Sequence, residues 1–148
     1  MKIIEITNSA AEEFHALADL LYQQMLDIGS NRSRLSIESA IQNALKPESR
    51  AIFFLAKKDT VPVGLVFANI CSGIESGGDY IWINEIQILP RYRGQGFGKE
   101  LLNYVIKWSK RNAIKTVLGV TGIYNDASQA LFKSENFEIN DIKWMEYL

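Results

Sequence analysis

The amino-acid sequence predicts a mixed α/β domain in which helices flank one sheet. Some segments carry apolar residues at helical spacing, while others are short apolar runs rich in β-branched and aromatic residues and bounded by turn residues. The chain has 148 residues, of which 47% are hydrophobic, so it can bury a sizeable core in one domain but not in two. No repeat, low-complexity tract or linker interrupts it, and we expect residues 1–148 to form a single domain.

The first third of the chain is predicted to form one strand and two helices. Residues 2–6 alternate weakly, as a short strand does. Ser9 and Glu12 form a capping-box pattern at the start of a helix that Gly29 ends. Its apolar residues recur at helical spacing: Phe14, Leu17, Leu21, Met25 and Ile28. The second helix is predicted to start near Ser36 and to carry Ile37, Ile41, Ala44 and Leu45 on one face.

Three consecutive strands are predicted in the middle of the chain, over residues 51–59, 61–70 and 80–89. The first two flank a short turn, and a segment rich in glycine and serine leads to the third. A glycine-rich turn then opens a helix, because apolar residues again share one helical face: Leu101, Leu102, Val105 and Ile106.

The last part of the chain is predicted to hold a strand, a helix and a strand. Residues 115–121 are the strand, and Asp126 with Gln129 has the pattern of an N-cap and its partner for a helix that ends near residue 135. Residues 137–148 are predicted to add one or two strands, in which Trp144 is a core or partly buried aromatic residue. This order of elements is typical of a mixed chain folded around one sheet.

Charge and cysteine content exclude several classes of function. The net charge is −1 and the isoelectric point is about 5.9, which argues against nucleic-acid binding because that function needs a basic face. Cys71 is the single cysteine, so we expect a reducing, cytoplasmic location without an intrachain disulfide. The N-terminal apolar run is too short for a signal peptide, and no segment approaches membrane-spanning length. Because histidine and cysteine do not cluster, no metal site is expected.

The segment LPRYRGQGFGKELL, residues 89–102, places three glycines at alternate positions before a helix. A dinucleotide fingerprint requires G-x-G-x-x-G, and a P-loop requires a hydroxyl residue after Gly-Lys, where this chain has Glu100. A third interpretation is a diphosphate held without metal by backbone amides at the helix start, with Arg93 and Lys99 adding charge. A plain strand-to-helix turn is the alternative.

The same segment resembles the signature of the GNAT family of acetyl-CoA-dependent N-acetyltransferases, with Arg93, Gly96 and Gly98 at the required places. A second segment, YNDASQALFKSENFE, is similar to another family motif, with Asn125 and Phe137 at its usual asparagine and phenylalanine positions. The resemblance implies an α/β fold with a central, mostly antiparallel sheet flanked by helices and with splayed strands around an acetyl-CoA cleft. It also implies direct transfer of an acetyl group to a primary amine of a small molecule or peptide.

What the resemblance implies for the donor site can be assigned residue by residue. The pyrophosphate of acetyl-CoA is expected on the turn residues Arg93, Gly94, Gln95, Gly96, Phe97, Gly98 and Lys99. The pantetheine arm is expected beside Ile86, Gln87 and Ile88, with the thioester where this strand splays from the next. Asn125, Ser128 and Phe132 are expected on the other side of the arm.

Two positions depart from the family pattern. Phe132 stands where a tyrosine often serves to protonate the leaving thiolate, so Tyr124 or a bound water is left as the candidate acid. Asn136 replaces a common glycine, which is a mild change because asparagine tolerates a left-handed backbone.

Glu85 is the candidate general base or amine anchor, since it is the one acid in the apolar strand 80–89. The apolar alternation slips at Asn84 and Glu85, which indicates either a β-bulge or a strand buried on both faces. The alternative role for Glu85 is that of a structural carboxylate.

Other functions stay open at this point. An acetyl-CoA-binding module that is catalytically weak or sensory would keep the donor site, and an interaction protein could retain only the fold. The resemblance places the acceptor against the first two helices and the C-terminal strands, leaves its identity undetermined, and makes the chain a candidate homodimer.

Overall fold

The computed structural model describes residues 1–9, 12–143 and 145–147. The elements in chain order are β1 (Lys2–Ile6), α1 (Glu13–Asp27), α2 (Arg34–Ala44), β2 (Ala51–Lys58), β3 (Val61–Gly73), β4 (Gly78–Ile88), α3 (Phe97–Arg111), β5 (Thr116–Gly119) and α4 (Asp126–Ser134). Short 3₁₀ turns lie at Pro47–Ser49 and Pro90–Tyr92.

The strands form one sheet in the order β1-β2-β3-β4-β5. Strands β1 to β4 pair with one another in antiparallel fashion, and β5 pairs with β4 in parallel. The predicted fold class, an α/β domain with a mostly antiparallel sheet, is therefore confirmed. Pairing between β4 and β5 ends at Ile83 and Gly119, whereas β4 continues to Ile88, so the sheet splays open along the last five residues of β4.

Two apolar layers cover the two faces of the sheet because the strands alternate. On β2, Phe53 and Leu55 pack into a cluster with α1 and α2, while Phe54 lies on the opposite face against α3. The buried residues of the α3 side include Leu101, Leu102 and Val105, all 0% exposed. These are residues that the helical spacing predicted for that face.

The helix ends follow the predictions in part. Gly29, with φ of 77°, ends α1 as predicted, and the amide of Ser30 donates to the carbonyl of Met25, as in a Schellman motif. The capping box at the start of α1 is wrong, because Glu12 is itself the N-cap, has helical dihedral angles and makes no side-chain cap bond. The cap of α2 is Ser33, whose hydroxyl accepts from the Ser36 amide at 3.1 Å, so α2 starts earlier than predicted.

The predicted C-terminal strands are wrong for the residues that the structure describes. Residues 137–143 and 145–147 form neither a helix nor a strand, and Trp144, expected to be a core or partly buried aromatic, lies outside the described residues. Phe137 packs against Phe132 with ring centroids 4.9 Å apart, while Ile142 is 66% exposed. Apolar alternation yields a strand only where a neighbouring strand can accept its hydrogen bonds.

Within residues 1–9, 12–143 and 145–147, none of the helices combines the length and apolar character that crossing a membrane requires.

Candidate active site

A β-bulge in β4 resolves the slip in its apolar alternation. Phe67 of β3 pairs with Glu85, but the next residue, Ala68, pairs with Ile83, so Asn84 has no residue opposite it. The extra residue shifts the phase of the strand by one, and the four isoleucines Ile81, Ile83, Ile86 and Ile88 all pack into the cluster on the α3 side. The bulge interpretation is therefore confirmed, and burial of β4 on both faces without a slip is wrong.

The bulge places Glu85 on the opposite face, beneath α1. The Nε2 of Gln24 on α1 donates a hydrogen bond to Oε2 of Glu85. One helical turn earlier, the carbonyl of Leu20 accepts a 2.8 Å hydrogen bond from Nε2 of Gln87. Burial raises the pKa of the Glu85 carboxyl above its usual range, and the hydrogen bond from Gln24 acts in the opposite direction.

The open edge of β4 lies beside this carboxylate. Beyond Ile83, β5 no longer pairs with β4, so the backbone of the residues predicted to face pantetheine has no strand on that side within the described chain. Of these residues, Ile86 and Ile88 direct their side chains into the α3 layer, and Gln87 bonds α1. Because strand residues alternate and the Leu89 amide bonds Val63 of β3, the backbone groups of Gln87 also face β3, and those of Ile86 and Ile88 point to the open edge.

The glycine turn follows directly after β4. Gly94 and Gly96 have φ of 71° and 86°, and a Cβ at either place would meet no atom within 4 Å, so the backbone conformation alone requires glycine here. After the Arg93 amide, which donates to Pro90, the next amide to bond a backbone carbonyl is that of Glu100. The amides of residues 94–99 therefore make no backbone hydrogen bond within the described chain. Such a run at a helix start suits an anion.

The predicted turn residues differ in what their side chains do. Arg93 closes the turn, because its Nε donates to the carbonyl of Ile88 at 2.9 Å. Lys99 forms an ion pair with Glu135 at 3.3 Å and so joins α3 to the end of α4. Gly98 lies inside α3, where a Cβ would stand 3.6 Å from Leu131. Gly98 therefore contributes to the packing of α3 against α4 and does not form part of the turn.

The remaining turn residues are placed by local contacts. The Nε2 of Gln95 donates to the carbonyl of Arg91 at 3.3 Å. The ring of Phe97 packs near Tyr92, with centroids 6.4 Å apart, and the ammonium group of Lys58 lies 5.8 Å from its centroid.

The second motif forms the start of α4. Asn125 is the N-cap, and its Oδ1 accepts a 3.0 Å hydrogen bond from the amide of Ser128, so the prediction of Asp126 as the cap is wrong by one residue. Phe132 packs between Phe137 and the backbone of Gly119, near the point where β5 leaves β4. Roles for Asn125, Ser128 and Phe132 in donor binding stay a prediction.

Two cavities lie near these elements, and neither includes Glu85. The larger, about 690 Å³, is bounded by β5, α4 and the segment that follows α4. The smaller, about 510 Å³, borders Gly96 and Lys99 of the turn and the start of β1. Neither cavity reaches the Glu85 carboxylate, whereas the unpaired edge of β4 runs directly beside it. We therefore assign the candidate site from the bulge and the turn.

Comparisons with known proteins identify the family and the fold of the chain. The sequence model described as the acetyltransferase (GNAT) family matches residues 10–137. The chain belongs to the GNAT family. A protein of Methanocaldococcus jannaschii, named as an uncharacterized N-acetyltransferase, is 30% identical over 92 residues, which are 61% of this chain and 40% of that protein. The match thus spans less than half of that GNAT relative.

Solved structures share the GNAT fold across the whole chain. The crystal structure of a probable acetyltransferase superposes with a TM-score of 0.84 at 19% identity and covers 100% of this chain and 96% of that one. The aminoglycoside N-acetyltransferase AAC(6')-Iy, in complex with CoA, superposes with a TM-score of 0.81 at 18% identity and covers 99% and 93%. At these identities the likeness confirms the fold.

Sequence reasoning missed one residue of the GNAT candidate site, Gln24. It lies 61 positions before Glu85, on a helix whose apolar face alone was predicted from the sequence. The available signal was its spacing: Gln24 follows the buried Leu20 and Leu21 by four and three positions, which places it next to the buried face of α1.

Proposed function

We propose that this GNAT protein transfers an acetyl group from acetyl-CoA directly to a primary amine of a small molecule or peptide. One observation supports this more than any other: β4 presents Glu85 beside an edge without a paired strand and leads into a turn whose six amides, 94–99, bond no backbone carbonyl within the described residues. The turn that we propose to bind the donor thus follows directly after the strand that carries the proposed base. The cytoplasmic location expected from the sequence is part of the same proposal.

The turn fits the pyrophosphate of the donor. Six amides without backbone acceptors, two left-handed glycines that leave the approach open and the positive end of the α3 dipole all favour a phosphate group. At the open edge, the backbone groups of Ile86 and the amide of Ile88 are available to the pantetheine arm, whereas Gln87 faces β3 and the carbonyl of Ile88 accepts from Arg93. Acetyl-CoA, when bound there, supplies the acetyl group as an activated thioester.

Glu85 then has the task of deprotonating the acceptor. An alkylamine has a pKa of about 10.4 and is charged at neutral pH, so a proton must leave before the nitrogen can attack. Burial raises the pKa of Glu85, which makes its carboxylate a better base than a solvated one. Glu85 takes the first proton from the ammonium group, directly or through a water, so that the neutral nitrogen can attack; as the C–N bond forms and the C–S bond breaks, the nitrogen releases a second proton to solvent. Amides of the open β4 edge can stabilise the developing negative oxygen.

The leaving thiolate requires less help than the amine. A thiol of this kind has a pKa of about 8.5, so its thiolate can depart and collect a proton from water. Phe132 brings no hydroxyl to this step. Tyr124 is 90% exposed, and its role as an acid remains a prediction.

Acceptor assays test the proposal. We expect release of CoA when the protein is supplied with acetyl-CoA and a panel of polyamines, aminoglycosides, amino acids and peptides; the CoA-bound neighbour is named for an aminoglycoside. Glu85→Gln should lower kcat/KM by about 10²–10⁴-fold with the best acceptor. Calorimetry should show that this variant still binds acetyl-CoA.

A second function is favoured by Phe132, which lacks the hydroxyl of the usual tyrosine. Under this alternative the protein binds acetyl-CoA as a sensory or catalytically weak module. Tight binding in calorimetry with no turnover on any amine would support it, whereas turnover that Glu85→Gln abolishes would exclude it. Absence of binding to any CoA species would contradict both functions.

A further inference from the structure

Gln24 and Glu85 form the first of two hydrogen-bonded links between α1 and β4. The second link, from Gln87 to the carbonyl of Leu20, lies one helical turn away and fixes the helix over the strand. Leu20 is 4% exposed and Gln87 is half-buried, so this contact lies at the inner face of α1. Gln24 therefore has little freedom to move relative to the carboxylate.

The amide of Gln24 is not placed there for stability alone. Its Nε2 donates to Glu85, but its Oε1 is buried and has no hydrogen-bond partner within the described chain. A buried acceptor without a donor destabilises the folded state, so an apolar side chain of the same shape would pack at lower cost. The residue that gains from the amide is Glu85, whose ionised form receives a hydrogen bond.

We propose that Gln24 is a positioning residue that orients the Glu85 carboxylate and keeps it ionised in its buried place. The proposal rests on the proposed function, in which Glu85 is the base. The side chain of Phe67 lies opposite Glu85 on β3, Gln24 faces it from α1, and both are uncharged. Burial and the Gln24 hydrogen bond are the two influences on the Glu85 pKa, and neither is a neighbouring charge.

The test compares two glutamines that are adjacent on α1. Gln24→Met removes the amide with little change in shape, whereas Gln23→Met changes an exposed residue that bonds Asp27 at 2.9 Å and serves as the matched control. In Q24M the acidic limb of the kcat/KM profile should move to higher pH, with roughly tenfold lower activity on that limb and recovery towards the parent value at alkaline pH. In Q23M the profile should not move.

A readout without catalysis separates this proposal from the proposed function. The titration of the Glu85 carboxyl, followed by NMR on ¹³C-labelled protein, should shift upward in Q24M and stay in place in Q23M. Gln24→Glu, a second variant of similar shape, should shift it further upward because a like charge opposes ionisation. An unmoved Glu85 titration in both Gln24 variants would overturn the proposal even if the enzyme is active. A moved titration in a protein that acetylates no amine would support the pairing and contradict the proposed function.

Discussion

Gly96 and Gly98 are two positions apart in one motif, yet the structure predicts opposite effects when each is replaced by alanine. Gly96 has φ of 86°, a conformation that costs an L-residue about 1–2 kcal/mol. Alanine also lowers the conformational entropy of the unfolded chain, which raises the free energy of unfolding by about 0.4–1 kcal/mol. Gly96→Ala should therefore lower the free energy of unfolding by about 1 kcal/mol.

Gly98 has no such requirement, because it lies inside α3. Its Cβ would meet Leu131 at 3.6 Å and Ile88 at 3.8 Å, both ordinary van der Waals distances. Alanine is favoured over glycine in a helix by about 0.5–1 kcal/mol, so Gly98→Ala should be neutral or should stabilise by about 0.5 kcal/mol. For a domain of this size, each kcal/mol corresponds to about 2–4 °C in Tm.

Urea unfolding of the parent and both variants measures these differences, and the rise in Tm on adding CoA reports the donor site. We expect that rise to shrink in Gly96→Ala, where the amides must reorient, and to persist in Gly98→Ala. The reasoning would be refuted if Gly96→Ala were as stable as the parent, or if Gly98→Ala lost more than about 1 kcal/mol.

Three further outcomes are expected. Burial raises the pKa of Glu85, so the folded state favours its protonated form, and this contribution to stability is lost as pH rises. In urea unfolding, the stability of Glu85→Gln should therefore match that of the parent at about pH 4 and exceed it at about pH 8. Gly64→Ala should destabilise by about 1–3 kcal/mol in the same assay, since its Cβ would overlap the carbonyl of Gln87, and a value near zero would contradict the close approach of β3 and β4. Phe132→Tyr should raise kcat at least severalfold if protonation of the thiolate limits turnover, whereas an unchanged kcat would assign that proton to water.

The sequence was sufficient to predict the elements whose patterns are local. Strand β2 and helix α3 follow from spacing alone, and Gly29 ends α1 because its left-handed conformation excludes most other residues. Asn136 also adopts the left-handed backbone that was expected of it, with φ of 63°. In each case the determinant lies within a few residues of its effect.

Features that depend on distant partners could not be predicted in this way. The slip at Asn84 was compatible with two interpretations until the pairing with Phe67 and Ala68 was known. The predicted C-terminal strands are absent from the described residues beyond α4, because a strand forms only where another strand accepts its backbone hydrogen bonds, and the local pattern does not supply that partner. Lys99 was predicted to add charge at the phosphate, whereas its ion pair with Glu135 depends on where α4 packs.

The extra residue in β4 has a consequence for how this site can vary. The side chain of Asn84 donates to Oδ1 of Asn69 on β3 at 2.6 Å, so replacing Asn84 removes that hydrogen bond but leaves the number of residues in the strand, and with it the facing pair of Glu85, unchanged. Removing Asn84 altogether would make the pairing continuous, because Phe67 would still face Glu85 and Ala68 would still face Ile83, so the carboxylate would stay beneath α1. The extra residue therefore determines the course of the strand and not the face that carries the acid: a bulge bends and twists its strand, and this one lies directly after Ile83, the last residue of β4 that pairs with β5.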